Sequence, residues 1–490
     1  MRAIYKACIL SLALTAPALL RGQDIGLLRL DPVEGSRGAA RVYGGYEAGG
    51  YHPAFAPESL WKAGASAEGT HHGERTSFQG SFSFEQVEGK GQFTSVFLEP
   101  GYFPVDVLEF TPGDKTRQTY KLSGGFATTF ADEFAFGAKA SYLSANYAKR
   151  KDIRHTTYGM NLQVEPTLAV VSGGVGISAA YIFRKRTESI DAEQVGAATD
   201  QSYYAFLDKG MRYGTYQVWD GDGIHLDEAG VGVFPVKEFS HGFSYIIEAP
   251  ALSGGMTVLW KHGTVGEKGY DWFRYPGHLA SLFLEGRWDA HSLRLSLEMQ
   301  DDQLEEAVLD KVSAGGITTP AIYGYNAVSD RTWGSLDLTY AVRFQNGPLR
   351  RLQAVLHGGA WTEHSYLMYP YEDKTDRYNG MATLVAAFAF GPMDLVARVN
   401  GGAGKWKEQG LQGGTDAVES VPFRLTPDWL RKMEYFSTGK LGAGLTLTYH
   451  FRAVKGLSLQ AEGTWLHGFG VDLLPGTERW SSTVSLGYNF

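Results

Sequence analysis

The last eleven residues, Trp480 to Phe490, alternate between apolar and small polar side chains and stop on an aromatic ring. Successive side chains of a strand face opposite sides. Trp480, Val484, Leu486, Tyr488 and Phe490 therefore line one face, and Ser481, Thr483, Ser485, Gly487 and Asn489 the other. A soluble sheet would have to cover the apolar face with a second layer, and the chain offers none. The pattern reads as a barrel strand whose outer face is solvated by lipid.

The same period of two recurs along the chain, and helical spacing is hard to find. Tyr120, Leu122 and Phe126 alternate with Lys121, Ser123 and Gly125, and Tyr158, Met160, Leu162 and Val164 with Gly159, Asn161, Gln163 and Glu165. Leu293, Leu295, Leu297 and Met299 oppose Arg294, Ser296, Glu298 and Gln300, while Leu441, Ala443, Leu445, Leu447 and Tyr449 oppose Thr446, Thr448 and His450. These runs reach about ten residues, the length a tilted strand needs to cross a bilayer, whereas strands of soluble sandwiches average nearer five or six. A mean hydropathy of −0.21 suits such a wall, because half of every strand faces water.

The amino terminus carries Arg2 and Lys6, an apolar run from Ala7 to Leu20, and then Arg21-Gly22-Gln23. Positive flank, short apolar core and small residue make residues 1–22 a secretory signal peptide that is cleaved, not a membrane helix. Residues 23–39 follow as a short periplasmic segment, and 40–490 as a single barrel. Cys8, the only cysteine, leaves with the signal, so the mature chain holds no thiolate site and no disulfide. Without Arg2, Lys6 and Arg21 there remain 42 basic against 53 acidic residues, a net charge of −11. That balance argues against nucleic acid as a partner.

Connections sort into two kinds. Short ones, such as Ala131 to Glu133, Ser172-Gly173, Asn346-Gly347-Pro348 and Gly391-Pro392, are rich in turn formers. Long ones fall between them, at about 88–115, 147–157, 187–276, 301–330, 362–376, 404–434 and 466–478. Short turns on one rim and long loops on the other describe an all-β fold, a transmembrane antiparallel barrel of the outer membrane with short periplasmic turns and long extracellular loops. Counting hairpins gives about 16 strands, with 14 as the alternative.

The terminal aromatic strand resembles the C-terminal insertion signal of bacterial outer-membrane barrels, with Tyr488 and Phe490 at its end. The segments Gly101-Tyr102-Phe103-Pro104-Val105-Asp106, Ala145-Asn146-Tyr147-Ala148-Lys149-Arg150, Tyr203-Tyr204-Ala205-Phe206-Leu207-Asp208 and Met368-Tyr369-Pro370-Tyr371 are similar to those of an uncharacterised outer-membrane barrel family of Bacteroidota. The resemblance covers essentially the whole mature chain. It implies a barrel in the outer membrane of a Gram-negative cell and transfers no activity and no site residues.

Glu285, Arg287, Arg294 and Glu298 fall on the polar faces of consecutive strands, so they meet in the lumen. Opposed charges there either select solutes by their field or form a paired, space-filling wall. The loop aromatics Tyr102, Phe103, Tyr203, Tyr204, Phe206, Trp272 and Phe273 are too many for water-exposed segments. They pack as a lid, stack on a ligand or dock a partner. Lys149, Arg150, Lys151, Arg154 and His155 form a basic run read either as a solvated loop face or as a grip on lipopolysaccharide. Asp301, Asp302, Glu305 and Glu306 lack the ligand spacing of a calcium loop and read as a solvated acidic loop. No nucleophile, base and orienting group fall at a spacing that sets a triad, so no enzyme, metal or cofactor is expected.

Two functions fit this reading. In one, the barrel is a transport or uptake component, either a gated pore or the partner of an energised nutrient transporter. In the other, its lumen is packed shut and its loops dock a surface protein. The expected partners are outer-membrane lipid and lipopolysaccharide, the barrel assembly machinery, and a TonB-dependent transporter or surface lipoprotein.

Overall fold

In the computed structural model, alternation is realised as a sheet that closes on itself. The structure describes residues 35–131, 133–151, 154–193, 203–220, 223–224, 233–267, 270–314, 317–368, 371–413 and 422–490. The signal peptide and most of the 23–39 segment lie outside the described residues.

The wall opens with β1 (Gly35–Ala48), β2 (Ser59–His72), β3 (Thr76–Ser95), β4 (Asp106–Thr129), β5 (Phe134–Lys149), β6 (Arg154–Ser172) and β7 (Val175–Glu193). Three short strands follow, β8 (Tyr203–Asp208), β9 (Gly214–Asp220) and β10 (Gly223–Ile224). The wall resumes with β11 (Val233–Glu248), β12 (Leu252–Glu267), β13 (Tyr270–Trp288), β14 (His291–Ala314), β15 (Ile317–Arg343), β16 (Leu349–Met368), β17 (Tyr371–Phe390) and β18 (Met393–Glu408). A helix, α1 (Thr426–Ser437), precedes β19 (Gly439–His450), β20 (Leu457–Phe469) and β21 (Glu478–Asn489). Each wall strand pairs antiparallel with the next, β7 pairs with β11, and β21 returns to β1 through Ala48↔Trp480 to Ala39↔Asn489.

The closed wall has 18 strands where the sequence suggests about 16. The missing hairpin is β11–β12, which lies inside the segment read as a long loop at 187–276. Its turn, Ala249-Pro250-Ala251, has no Gly, Asn or Asp; in its second strand Gly254 interrupts the outward apolar face of Leu252, Met256 and Trp260, and Gly255 and Gly263 leave the inward face bare of side chains. The expected loops at 301–330 and 362–376 are likewise mostly strand. β14 and β15 run 24 and 27 residues and stay paired out to Ala314↔Ile317. About ten residues suffice to cross the bilayer, so the remainder stands above it. The first strand begins at Gly35 rather than near Ala40.

Outward positions carry large apolar side chains that no second layer covers: Leu168 is 61% exposed, Leu384 58% and Val484 54%. An apolar surface running right round a molecule is untenable in water and stable in lipid. Tyr488 and Phe490 belong to this band, both outward and exposed. Tyr46 with Trp61, and Trp465 with Trp480, mark an aromatic girdle on the loop side, their ring centres 4.7 and 6.2 Å apart.

β18 pairs with β19 only as far as Gly402↔Lys440, yet continues to Glu408. Helix α1 covers the edge so exposed. Pro427 in its first turn fixes the helical φ, and Asp428 complements the positive end of the helix dipole. Trp429, Met433 and Tyr435 are its buried residues. Its other anchor is Glu434, whose carboxylate accepts the backbone N–H groups of Asp472, Leu473 and Leu474 at 2.7–3.0 Å.

Candidate gate in the barrel mouth

The only large apolar cluster of the described residues lies inside the mouth, on the loop side. Residues 96–105, joining β3 to β4, fold into the lumen instead of standing above it. Val96, Phe97, Phe103 and Val105 are each at most 3% exposed and pack on Ile190, Val236, Val265, Phe273, Tyr275 and Leu304 of the wall. Phe103 stacks edge-on against Phe97 and Tyr102, with ring centres at 5.2 and 5.0 Å. Each such ring contributes about 1.5–3 kcal/mol by leaving water. Lower in the lumen the inward positions are mostly polar, apart from a small apolar cluster at the turn rim where Val171 and Ile246 pack on Ala135 and Ala169.

Charged clamps fix the inserted loop. Arg331 of β15 donates to the carbonyl oxygens of Gly101 (2.8 Å), Phe103 (3.0 Å) and Tyr102, and pairs with Asp302 at 2.9 Å. Asp302 also holds Lys261. The Tyr102 hydroxyl donates to Glu238 at 2.7 Å, and the Arg186 guanidinium lies 3.7 Å over its ring while binding Glu188 at 2.7 Å. Burial, and then the Glu238 carboxylate, push the Tyr102 hydroxyl above its ordinary pKa, so it stays a donor. Breaking one buried pair by removing a partner costs about 3–5 kcal/mol, because the other charge is stranded.

The β8–β9 hairpin is the second component. β8 pairs with the free end of β4 through Asp106↔Asp208 and Leu108↔Phe206. In the turn between β8 and β9, Met211 and Arg212 hold φ of 53° and 65°, a left-handed conformation that costs side-chain-bearing residues about 1–2 kcal/mol each. Three carboxylates hold the turn there: Arg212 binds Asp208 at 2.5 Å, Asp428 of α1, and Asp106 at 4.0 Å. Asp208 also accepts the N–H groups of Gly210 and Arg212, both at 3.0 Å. Burial alone would lower the pKa of Arg212, and the three acids more than reverse this. For Asp106, at the end of β4 that stands clear of the membrane, burial outweighs Arg212 and the carboxyl is pushed up to about 7.

Helix α1 completes the closure. Trp429 and Met433 pack on Met211 and Tyr213, and Lys432 binds Glu363 of β16 at 3.1 Å. Arg424, just before the helix, joins Asp373 (3.3 Å) and Glu408, and Tyr213 donates to Asp373 at 3.0 Å. Among these parts remains a cavity of about 60 Å³, lined by Pro100, Phe103, Asp106, Arg212, Arg331 and Lys432. It has room for a few waters and is no open passage.

Below the plug the lumen is polar. Glu285 accepts from Arg287 at 2.7 Å and from Arg294 at 3.4 Å, beside the short turn at Asp289. Glu298 lies farther up β14, opposite Ser281 and Ser335. The first three residues thus meet as a paired patch of wall near the turn rim, with Glu298 apart.

The loop aromatics divide. Tyr102, Phe103, Trp272 and Phe273 join the cluster in the mouth, and Trp272 and Phe273 belong to wall strand β13; Phe206 is buried on the other face of β8, beneath Tyr216 and Phe423. Tyr204 is 50% exposed; the side chain of Tyr203 lies outside the described residues. The basic run is split as well: Lys149 and His155 are buried, Lys149 on Glu109 at 2.6 Å, while Arg150 and Lys151 face solvent. Far from a solvated acidic loop, Asp302, Glu305 and Glu306 pair with Arg331, Arg274 and Lys209 along β14. No group of three or more metal-ligating side chains occurs among the described residues. Sequence reading missed Arg331, Arg212 and Glu238, and the helix. Thr426-Pro427-Asp428 followed by Trp429, Met433 and Phe436 was a legible helix signal inside the supposed loop at 404–434.

Over residues 27–490 the chain matches a family of unknown function, DUF6850. It belongs to that family. No curated protein matches it. Among solved structures, a ferric enterobactin receptor (PfeA) mutant from Pseudomonas aeruginosa is 10% identical, covering 94% of this chain and 81% of its own, at a TM-score of 0.43. The FrpB iron transporter of Neisseria meningitidis is 10% identical over 92% of this chain and 81% of its own, at 0.39. A loop-deletion mutant of OmpT, an outer membrane protein of Vibrio cholerae, is 12% identical over 85% and 100%, at 0.33. These scores carry no argument beyond a shared kind of fold.

Proposed function

We propose that this DUF6850 barrel is a gated transport component of the outer membrane, with residues 96–105 and the β8–β9 hairpin as its gate. One observation carries the reading: a mostly polar lumen runs up from the turn rim and ends at a plug clamped to the wall by ion pairs and hydrogen bonds. An 18-stranded wall encloses a water-filled channel unless something fills it. A barrel shut for good along its length would have no need of a strained turn, with two left-handed residues, held by ion pairs at one level of the closure. Reconstitution in planar bilayers tests it. The intact barrel should show little current, and replacing residues 97–104 with a Gly-Ser linker should give discrete conducting steps. Silence from both would sink the gate.

A second reading, in which the loops dock a surface protein, rests on rings outside the plug. Tyr204, Tyr216, Phe423 and Phe110 cluster with centres 5.4–6.5 Å apart and are each 41–50% exposed. Co-purification in mild detergent of a TonB-dependent transporter or lipoprotein, lost on replacing Tyr204 and Tyr216 with Ser, would favour it.

A further inference from the structure

Where β18 outruns β19, the outside of the barrel carries a groove of about 470 Å³ between β18, α1 and the 470–477 loop. Its floor is apolar: Trp406, Leu430, Phe469 and Leu473. Phe469 and Leu473 are 52% and 44% exposed, and Phe469 continues the outward face that carries Leu459 and Trp465 below it. The groove is therefore contiguous with the lipid-facing surface and opens at its loop-side edge. Lys405 sits opposite the outward, exposed Tyr378 in the β17–β18 register, at the level where lipid headgroups begin.

Charge singles out the occupant. Lys405 lines the groove and Lys407 follows two residues on along the same outward face; both are exposed and make no ion pair among the described residues. Arg431 is exposed on the helix one residue beyond Leu430. The acid lining the groove, Glu434, has both oxygens taken up by backbone N–H groups of residues 472–474, which leaves Asp472 as the exposed acid of that loop. An apolar floor beside unpaired cations fits neither a neutral acyl chain alone nor a soluble anion. We propose that the groove seats lipid A of the outer leaflet, one acyl chain along Leu430, Phe469 and Leu473 and a phosphate on Lys405 and Lys407. This rests on the outer-membrane reading of the barrel and is independent of the gate.

Native mass spectrometry of the folded, detergent-purified barrel titrated with lipid A tests it, with phosphatidylglycerol and phosphatidylcholine as comparison lipids. A lysine beside an anionic headgroup is worth about fivefold in affinity, so Lys405→Ala with Lys407→Ala should weaken lipid A binding by about tenfold or more. Leu473→Asp, on an exposed loop that leaves the wall intact, should weaken it similarly. Unchanged affinity in both variants overturns the proposal, as does equally tight binding of either comparison lipid. Neither result touches the conductance that tests the gate, and fractionation away from the outer membrane would instead defeat the underlying reading.

Discussion

The guanidinium of Arg331 donates to the carbonyl oxygen of Phe103 at 3.0 Å, so a wall strand grips the inserted loop by its backbone. Arg331→Ala leaves Asp302 held by Lys261 and the Gln300 amide and frees the carbonyls of Gly101, Tyr102 and Phe103. The plug should lose roughly 1–2 kcal/mol for each freed buried carbonyl, about 3–5 kcal/mol together, while the membrane wall, whose ladder is untouched, remains folded. Amide exchange in residues 96–105 should rise by orders of magnitude, and current should appear in bilayers. Arg331→Lys, which cannot reach three carbonyls and a carboxylate together, should fall between.

Protonation should bear on the second part of the plug. Burial raises the Asp106 carboxyl from 3.8 to about 7, with Asp208 adding to the rise and Arg212 and the Ser95 hydroxyl opposing it. A group whose folded pKa is raised gives its full stabilisation below the unfolded value and loses it as pH climbs through the folded one. The contribution of Asp106 to closure should therefore be full near pH 4 and fade as pH climbs to about 7. After correction for intrinsic exchange, protection of residues 203–220 should fall over that range, and Asp106→Asn should flatten the profile. A flat profile in the unaltered protein would refute the assignment.

Gly404 lets helix α1 approach the unpaired edge of β18. A Cβ there would lie 2.5 Å from the carbonyl oxygen of Phe436 and 3.0 Å from the Cα of Ser437. Gly404→Val should displace the helix at about 1–3 kcal/mol. Through the Asp428 pair to Arg212 and the Lys432 pair to Glu363, the hairpin should loosen with it. Exchange across both α1 and β8–β9 would report this; exchange confined to α1 would uncouple them.

How much of this was legible in the sequence follows from what each part depends on. Strands such as β19 and β21 declare themselves because lipid rewards every outward Leu and Tyr, a local pattern of period two. β11–β12 escapes because its turn lacks the usual residues and glycine breaks its outer face. Asp302 reads as a loop charge, and Arg331 draws no notice, for a different reason: above the membrane, strands no longer need lipid-facing side chains, and their pairing leaves no hydropathy signal. Nor does anything near Tyr102 in sequence foretell that Glu238, 136 residues away, will receive its hydroxyl. The site is built from such long-range pairs, which alternation alone does not encode.

At the seam, Phe490 pairs with Gly38 through reciprocal backbone bonds, Gly38 N–H to Phe490 O at 2.8 Å and the reverse at 2.9 Å. The ring lies across the glycine: a Cβ on Gly38 would come within 2.5 Å of ring atoms Cε2 and Cζ. Gly38→Val should force the ring away and cost about 1–3 kcal/mol where the first and last strands meet. Closure has no second chance elsewhere, since a barrel with one unpaired edge exposes backbone groups to lipid. The yield of compact, heat-modifiable barrel on unboiled gels should fall. Adding Phe490→Ala removes the clash, so the double variant should migrate better than Gly38→Val alone, the coupling expected of two side chains in contact. If the two losses simply add, the ring and the glycine do not meet in the folded barrel and the seam is held by backbone pairing alone.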